Sequence, residues 1–281
     1  MEAKLSIWSQ YYHEMRIEDA VLEFKRNGIL CSELSDEHGE ELFSRSEDYV
    51  STGKKLAQFL SEENFCMSQG HLWLRVKICT DDDAVERLCK WIDMYEAIGI
   101  KNMVLHTEEM YAVDLPREER VALNVERLRK IAEHVKDKDV TICLENLRSS
   151  RPERAVEDLV AGSVDNLLEI IEAVGSDRFG ICLDTGHLNL TYKNQREFIL
   201  RAGEKLRALH IADNQGKGED QHMMPFAKGR VDFLEVVAAL REIDYHGLFN
   251  LEIPGETRIP LELRNEKIKY IKACYDYLMA H

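Results

Sequence analysis

The sequence predicts an α/β fold, a single (β/α)₈ barrel that occupies residues 1–281 as one domain. Three observations carry that expectation. Apolar strand-like runs alternate with segments of helical period, glycines recur at the joints, and the length suits eight such units. The strands are read as Leu5–Trp8, Ile29–Leu34, Cys66–Trp73, Asn102–His106, Val140–Glu145, Phe179–Asp184, Ala208–Ala212 and Leu248–Ile253. Between them, Ile17, Ala20, Val21 and Phe24 fall at i, i+3, i+4 and i+7, as do Val85, Leu88, Cys89 and Ile92. Val164, Leu167, Leu168 and Ile171 repeat the spacing. Asp232 with Glu235 reads as a capping pair that opens a helix over Phe233–Ile243. Gly28, Gly99 and Gly247 each stand between the end of a helical run and a new strand, where a left-handed residue often closes the helix. No Pro- or Ser-rich linker divides the series, and no G-x-G-x-x-G follows the first strand, which disfavours an open doubly wound sheet.

Composition narrows the function classes. Acidic residues outnumber basic ones 52 to 37, a formal net charge of −15, whereas a protein that grips DNA through its phosphates usually presents a basic surface. Nucleic acid is therefore not the expected partner. No stretch approaches the roughly 18 consecutive apolar residues of a membrane span. The opening MEAKLSIWSQYYHEM lacks the basic start and apolar core of a secretion signal, so a soluble cytoplasmic protein with no membrane partner is expected. The seven cysteines form no Cys-x-x-Cys pair. Cys79, Cys143 and Cys182 are read inside strands, and Cys89 and Cys274 inside helices, as small buried hydrophobes of a reducing compartment.

In a barrel of this kind the C-terminal strand ends and the loops after them form the active site. Strand five, VTICLEN, ends at Glu145, and strand six, FGICLDTGH, ends at Asp184 with His187 following. Strand seven, RALHIADN, carries His210, and strand eight, LFNLEIPG, carries Glu252. One acid at such a place is an ordinary first loop residue, but four consecutive strands make a pattern. Glu145 and Glu252 also sit in apolar context, where an unpaired carboxylate is expensive and a metal or partner is expected. Three carboxylates and one imidazole suit Mn²⁺, Mg²⁺ or Co²⁺.

The ordered segments ICLENL, ICLDTGHLNL, LHIADNQGKGEDQHMMPFAKGRVDF and NLEIPG resemble the xylose-isomerase-like TIM-barrel superfamily, in particular its sugar and sugar-phosphate isomerases and epimerases. The resemblance implies that Glu145, Asp184, His210 and Glu252 bind one divalent metal, Mn²⁺ ahead of Co²⁺, Mg²⁺ or Zn²⁺. It implies further that Glu145 and Glu252 are the acid/base pair and that His187 contacts substrate. The expected activity is that of a metal-dependent isomerase or epimerase, which moves a proton next to the carbonyl of a small sugar or sugar phosphate through a metal-bound enediolate. A homo-oligomer is left open.

His71, His106, His187, Asp220 and His222 are candidates for a further metal site. Together with Glu145, Asp184, His210 and Glu252 they resemble the ligand series of a sister family, the AP-site endonucleases of family 2, which cut DNA with three zinc ions. A zinc-dependent phosphodiesterase is thus the main competing expectation, followed by a metal-dependent inosose or keto-acid dehydratase of the same fold. His13, His38, His134, His246 and His281 read as surface or local structural residues. Some ketose 3-epimerases of the superfamily carry an arginine shortly after the strand-seven histidine. The stretch here is Asn214-Gln215-Gly216-Lys217, which argues against a free-ketose 3-epimerase of that type. Arg148, Arg151 and Arg154 either bind a phosphate or carboxylate or pair with Glu153 and Glu157, and Trp8, Tyr11 and Tyr12 either wall a sugar or pack the barrel rim.

Overall fold

The computed structural model describes residues 3–112, 114–150 and 154–281, and in them the alternation closes into the expected barrel. The strands are β1 (Lys4–Trp8), β2 (Cys31–Leu34), β3 (Cys66–His71), β4 (Asn102–Leu105), β5 (Thr141–Glu145), β6 (Phe179–Asp184), β7 (Leu206–His210) and β8 (Leu248–Leu251). All ladders are parallel, in the order β7-β6-β5-β4-β3-β2-β1-β8. The ring closes through a bridge between Ile211 and Leu251. There Ile211 N donates to Asn250 O at 2.8 Å and Glu252 N to Ile211 O at 3.1 Å, beside His210 and Glu252. No helix among the described residues is long and apolar enough to cross a membrane.

Several boundaries differ from those expected from the sequence. β2 starts at Cys31 rather than Ile29, β3 stops at His71 rather than Trp73, and β7 runs Leu206–His210 rather than Ala208–Ala212. The extra residues Ile29, Leu72 and Ala212 are buried but lie outside the ladders, so hydrophobicity overstated the strands. Cys79 lies in a turn rather than a strand, and all seven cysteines are free thiols. Two crossovers hold two helices each, Asp36–Ser44 with Tyr49–Glu62 and Thr185–Leu190 with Gln195–Ala202. Asp232 caps the helix Phe233–Glu242, its Oδ1 accepting from the N–H groups of Leu234 and Glu235 at 3.1 Å each. Gly28 and Gly99 take the left-handed conformation, but at the third joint Asp244 takes it instead (φ 52°). Gly247 is needed for a different reason: a Cβ there would come 2.2 Å from Tyr245 Oη.

Period-two alternation explains how the sequence places its candidate ligands. Val104, Cys143, Cys182 and Ala208 form one small buried cluster, separate from the larger core between sheet and helices. Residues two further along a strand share its face. His106, Glu145, Asp184 and His210 therefore follow that cluster at the C-terminal mouth. Polar side chains span the same interior, with Ser6 Oγ donating to Asn250 Oδ1 at 2.8 Å and Gln69 Nε2 to Leu209 O at 3.2 Å.

A buried ion pair braces two loops over the mouth. Arg120 Nη1 donates to Glu109 Oε2 at 2.6 Å and Nη2 to Asp158 O at 2.6 Å, while Glu109 Oε1 accepts from Val160 N. Replacing one partner strands the other charge in a dry environment. Arg120→Met is expected to lower stability by about 3–5 kcal/mol, read as an earlier urea midpoint. An unshifted midpoint would show that the pair does not support the fold.

Candidate metal centre and active site

Glu145, Asp184, His210 and Glu252 converge, all of them buried. His210 Nδ1 lies 3.3 Å from Glu145 Oε2 and 3.5 Å from Glu252 Oε2. Ligand atoms of Asp184, His210 and Glu252 lie within 4.8 Å of one another, as do those of Glu145, Asp184 and His187. Local structure aims the groups. Asp184 caps the helix Thr185–Leu190, with Oδ1 accepting from His187 N at 2.7 Å. Asn146 locks β5 to β6, donating to Asp184 O at 3.0 Å and accepting from Asp184 N at 2.8 Å.

Asp184 Oδ2, His210 Nδ1 and Glu252 Oε2 are buried without any hydrogen-bond partner. Each such atom costs about 1–3 kcal/mol if left so. Their convergence on one space, in a donor set of carboxylates and one imidazole, fits a divalent cation. These residues would hold it together with Glu145.

The remaining candidates surround this centre. His71 Nδ1 donates to Leu72 O at 2.6 Å, which leaves Nε2 facing His106 Nε2 at 3.3 Å and Glu145 Oε2 at 3.6 Å. His106 Nε2 is 3.0 Å from the same Glu145 oxygen, so His71, His106 and Glu145 form one close group. On the other flank Asp220 Oδ2 bridges His187 Nε2 at 2.9 Å and His222 Nε2 at 3.3 Å. Asp213 holds the loop that carries Asp220 and His222, its Oδ1 accepting from the N–H groups of Asn214, Arg230 and Val231. Gly229 is obligatory against it, since a Cβ there would lie 1.9 Å from Asp213 Cγ.

The protonation pattern is that of a cluster short of positive charge. Burial pushes Glu252 up to about 8, against the opposing pull of His210 and His222. Burial acts the same way on Glu145, but His106 and His210 with the His187 hydrogen bond outweigh it and hold Glu145 well below the carboxylate range. Burial would lower His71 and His222, yet Glu145 raises His71 to about 9, and Glu252 with Asp220 raises His222 to about 10. His187 and His210 are likewise raised well above the usual value by surrounding acids despite their burial, whereas burial lowers His106. Protons on His71, His187, His210 and His222 thus take the place in the charge balance that a bound cation would fill.

Glu33 contacts the candidate centre and was missed by sequence reasoning. It is wholly buried in β2, and its Oε1 accepts from His210 Nε2 at 3.0 Å. Its Oε2 accepts from Asn250 Nδ2, whose own Oδ1 accepts from Ser6. With Nε2–H committed to Glu33, Nδ1 is the ring nitrogen turned toward Glu145 and Glu252, and it is the one that would face a cation once its proton is given up. The only signal in the sequence was an acid within the apolar run ILCSEL. Glu33→Gln is expected to weaken metal affinity by about 10–100-fold, as loss of such an orienting carboxylate does. Unchanged affinity by competitive chelator titration would reduce Glu33 to a packing role.

Geometry also assigns the aromatic residues of the rim and the outlying histidines. Tyr11 and Tyr12 are fully buried against Phe24 and donate to Arg264 O and Asn265 Oδ1, both at 2.8 Å, so they pack the rim. His38 is a structural histidine, bonded to Ser9 Oγ and Met15 O, and His134 pairs with Asp93. Arg151 and Glu153 lie outside the described residues. A cavity of about 660 Å³ opens onto His106, His187, Tyr111, Leu147 and Arg148, beside the candidate centre.

Comparison with known proteins agrees with this architecture. A family model described as xylose isomerase-like TIM barrel matches residues 25–274. D-psicose 3-epimerase of Enterocloster bolteae is 22% identical over 255 residues, 87% of this chain and 77% of its own. A probable endonuclease 4 of Mesomycoplasma hyopneumoniae strain J is 30% identical over 173 residues, 58% of this chain and 57% of that protein. Two uncharacterized relatives, from Sinorhizobium fredii and Methanocaldococcus jannaschii, are matched over 55% and 42% of their lengths, so the chain spans about half of each. A crystal structure of D-psicose 3-epimerase in the presence of D-fructose superimposes with a TM-score of 0.78 at 16% identity, covering 99% of this chain and 100% of that one. That likeness is one of fold.

Proposed function

Because the chain belongs to the xylose isomerase-like TIM-barrel family, we propose that its barrel mouth is the site of a metal-dependent sugar isomerase or epimerase. The observation that carries the reading is the convergence of Glu145, Asp184, His210 and Glu252, three of them with buried, unpartnered ligand atoms. A divalent cation held there, Mn²⁺ by expectation, would supply positive charge beside the reacting carbon.

The chain supplies the rest. Glu145 from β5 and Glu252 after β8 approach His210 Nδ1 from different strands. One carboxylate can take a proton from carbon while the other group returns one to the same or the neighbouring carbon. His187 Nδ1 is 3.1 Å from Glu145 Oε1 and its Nε2 is 2.9 Å from Asp220 Oδ2, so the ring holds Glu145 in place while its exposed edge lines the cavity a substrate would enter. Similarity to the Enterocloster bolteae epimerase over most of both chains supports the reading. The test is carbon-bound deuterium incorporation from D₂O into ketoses, ketose phosphates or inososes in the presence of Mn²⁺.

One observation favours a second reading. His71 and His106 with Glu145, and His187 with His222 around Asp220, flank the centre as two further ligand groups. Similarity to a probable endonuclease 4 points the same way, toward a zinc-dependent phosphodiesterase. Metal analysis of protein purified without chelators separates the two. One Mn²⁺ or Co²⁺ per chain supports the isomerase, and two or three Zn²⁺ support the phosphodiesterase.

A further inference from the structure

Beside the main cavity lies a second one of about 340 Å³, walled by the loops after β5 and β7 and by the end of the helix Thr185–Leu190. Its charged lining residues are Arg148, Arg154 and Lys217, and among the described residues no carboxylate lines it. That runs against the composition, because acids outnumber bases 52 to 37 along the chain. Three cations around one hollow make it positive, and an anion that enters gains from all three.

Among the described residues the one carboxylate paired with any of these cations is Glu109, and it is shared. Glu157, expected from the sequence as a partner for these arginines, is exposed and makes no ion pair with them. Arg154 Nη1 has Glu109 Oε2 at 3.6 Å, but Arg120 already holds that oxygen at 2.6 Å. Arg154 is positioned instead by the face of Tyr111, with its guanidinium carbon 5.2 Å from the ring centre. Arg148 lines both cavities, so an anion held by it sits at the edge of the space that contains His106 and His187.

We propose that Arg148, Arg154 and Lys217 form a phosphomonoester-binding subsite that selects phosphorylated over free sugars. The proposal rests on the sugar isomerase or epimerase reading for what occupies the neighbouring cavity. A terminal phosphate offers three oxygens and two negative charges to three donors, and guanidinium groups bind it by paired, charge-assisted hydrogen bonds.

Calorimetric titration of the metal-loaded full chain tests the subsite without turnover, with inorganic phosphate, D-ribulose 5-phosphate and D-ribulose as probes. The phosphorylated sugar should bind at least about tenfold tighter than D-ribulose, Arg148→Gln and Lys217→Gln should each remove about tenfold of its affinity, and Lys217→Gln should leave D-ribulose binding unchanged. Lys217 is exposed on a separate loop from Arg148, so a loss in both variants is not a folding defect. Equal affinity for the two sugars, or unchanged phosphate binding in both variants, overturns the proposal. So does a duplex with an abasic site that binds through the same residues while D-ribulose 5-phosphate does not. Phosphate-selective binding without deuterium exchange defeats the isomerase reading and leaves the subsite standing. Exchange into free ketoses with no preference for phosphate does the reverse.

Discussion

Substituting Glu252 by glutamine is expected to lower Mn²⁺ affinity by on the order of 100-fold or more, with the barrel still folded. Glu252 Oε2 is buried, has no hydrogen-bond partner, and shares its space with Asp184 Oδ2 and His210 Nδ1. Glutamine keeps the shape and removes the charge on which the cation depends. Removing that charge should not hurt the metal-free protein. Burial already raises Glu252 from 4.5 to about 8, so the folded protein binds its proton more tightly than the unfolded chain does. That contribution to stability is present below pH 4.5 and is lost as pH rises through about 8. His71, raised to about 9, and His222, raised to about 10, lose theirs in the same direction, because a proton that stabilises the folded cluster is given up. The cation competes with these protons, so its binding strengthens with rising pH. The thermal shift produced by Mn²⁺ should therefore grow between pH 5 and pH 8 in the wild type and nearly vanish in Glu252→Gln. A variant that binds Mn²⁺ as tightly as wild type would remove Glu252 from the centre.

Exchange of a carbon-bound hydrogen with solvent deuterium is the second large effect, and Glu145→Gln should slow it by about 10²–10⁴-fold. Glu145 is held ionised by the imidazoles around it, with Oε1 at 3.1 Å from His187 and Oε2 at 3.0 Å from His106. A carboxylate so placed, in contact with His106 and His187 of the 660 Å³ cavity wall, can accept a proton from a bound sugar. The neutral amide cannot. NMR of ketoses, ketose phosphates and inososes incubated in D₂O with Mn²⁺ should show deuterium next to the carbonyl of at least one compound. Failure of every compound to exchange, combined with metal-dependent cleavage of abasic-site DNA, would transfer the case to the phosphodiesterase reading.

How much of this was legible in the chain depended on the range of the signal. Glu145, Asp184 and His210 each stand two residues beyond a small interior residue, Cys143, Cys182 and Ala208, and strand alternation alone puts them at one end of the barrel. His71 and His106 were visible as polar groups where apolar runs stop, His187 by its place just after strand six, and Asp220 with His222 by their Asp-x-His spacing in the loop after strand seven. Strand limits were less legible. Residues such as Leu72 and Ala212 are buried by neighbours rather than paired in a ladder, and hydrophobicity does not distinguish the two states.

What the sequence by itself determined was the periodic part: eight parallel strands, their order around the ring, and chemistry-bearing residues at their C-terminal ends. These follow from local spacing, because a period of two or of 3.6 decides which face a side chain takes. The tertiary structure alone decided which residues meet across the barrel. Glu33 reaches His210 from a position 177 residues away, and Arg148 and Lys217 share a cavity only because two loops fold over one mouth. The same holds for Tyr11 and Tyr12, which turned inward to Phe24 and the last helix rather than outward to a ligand. The physical reason is common to all three cases. A contact between distant segments depends on barrel closure and loop path, and neither leaves a periodic trace in the chain.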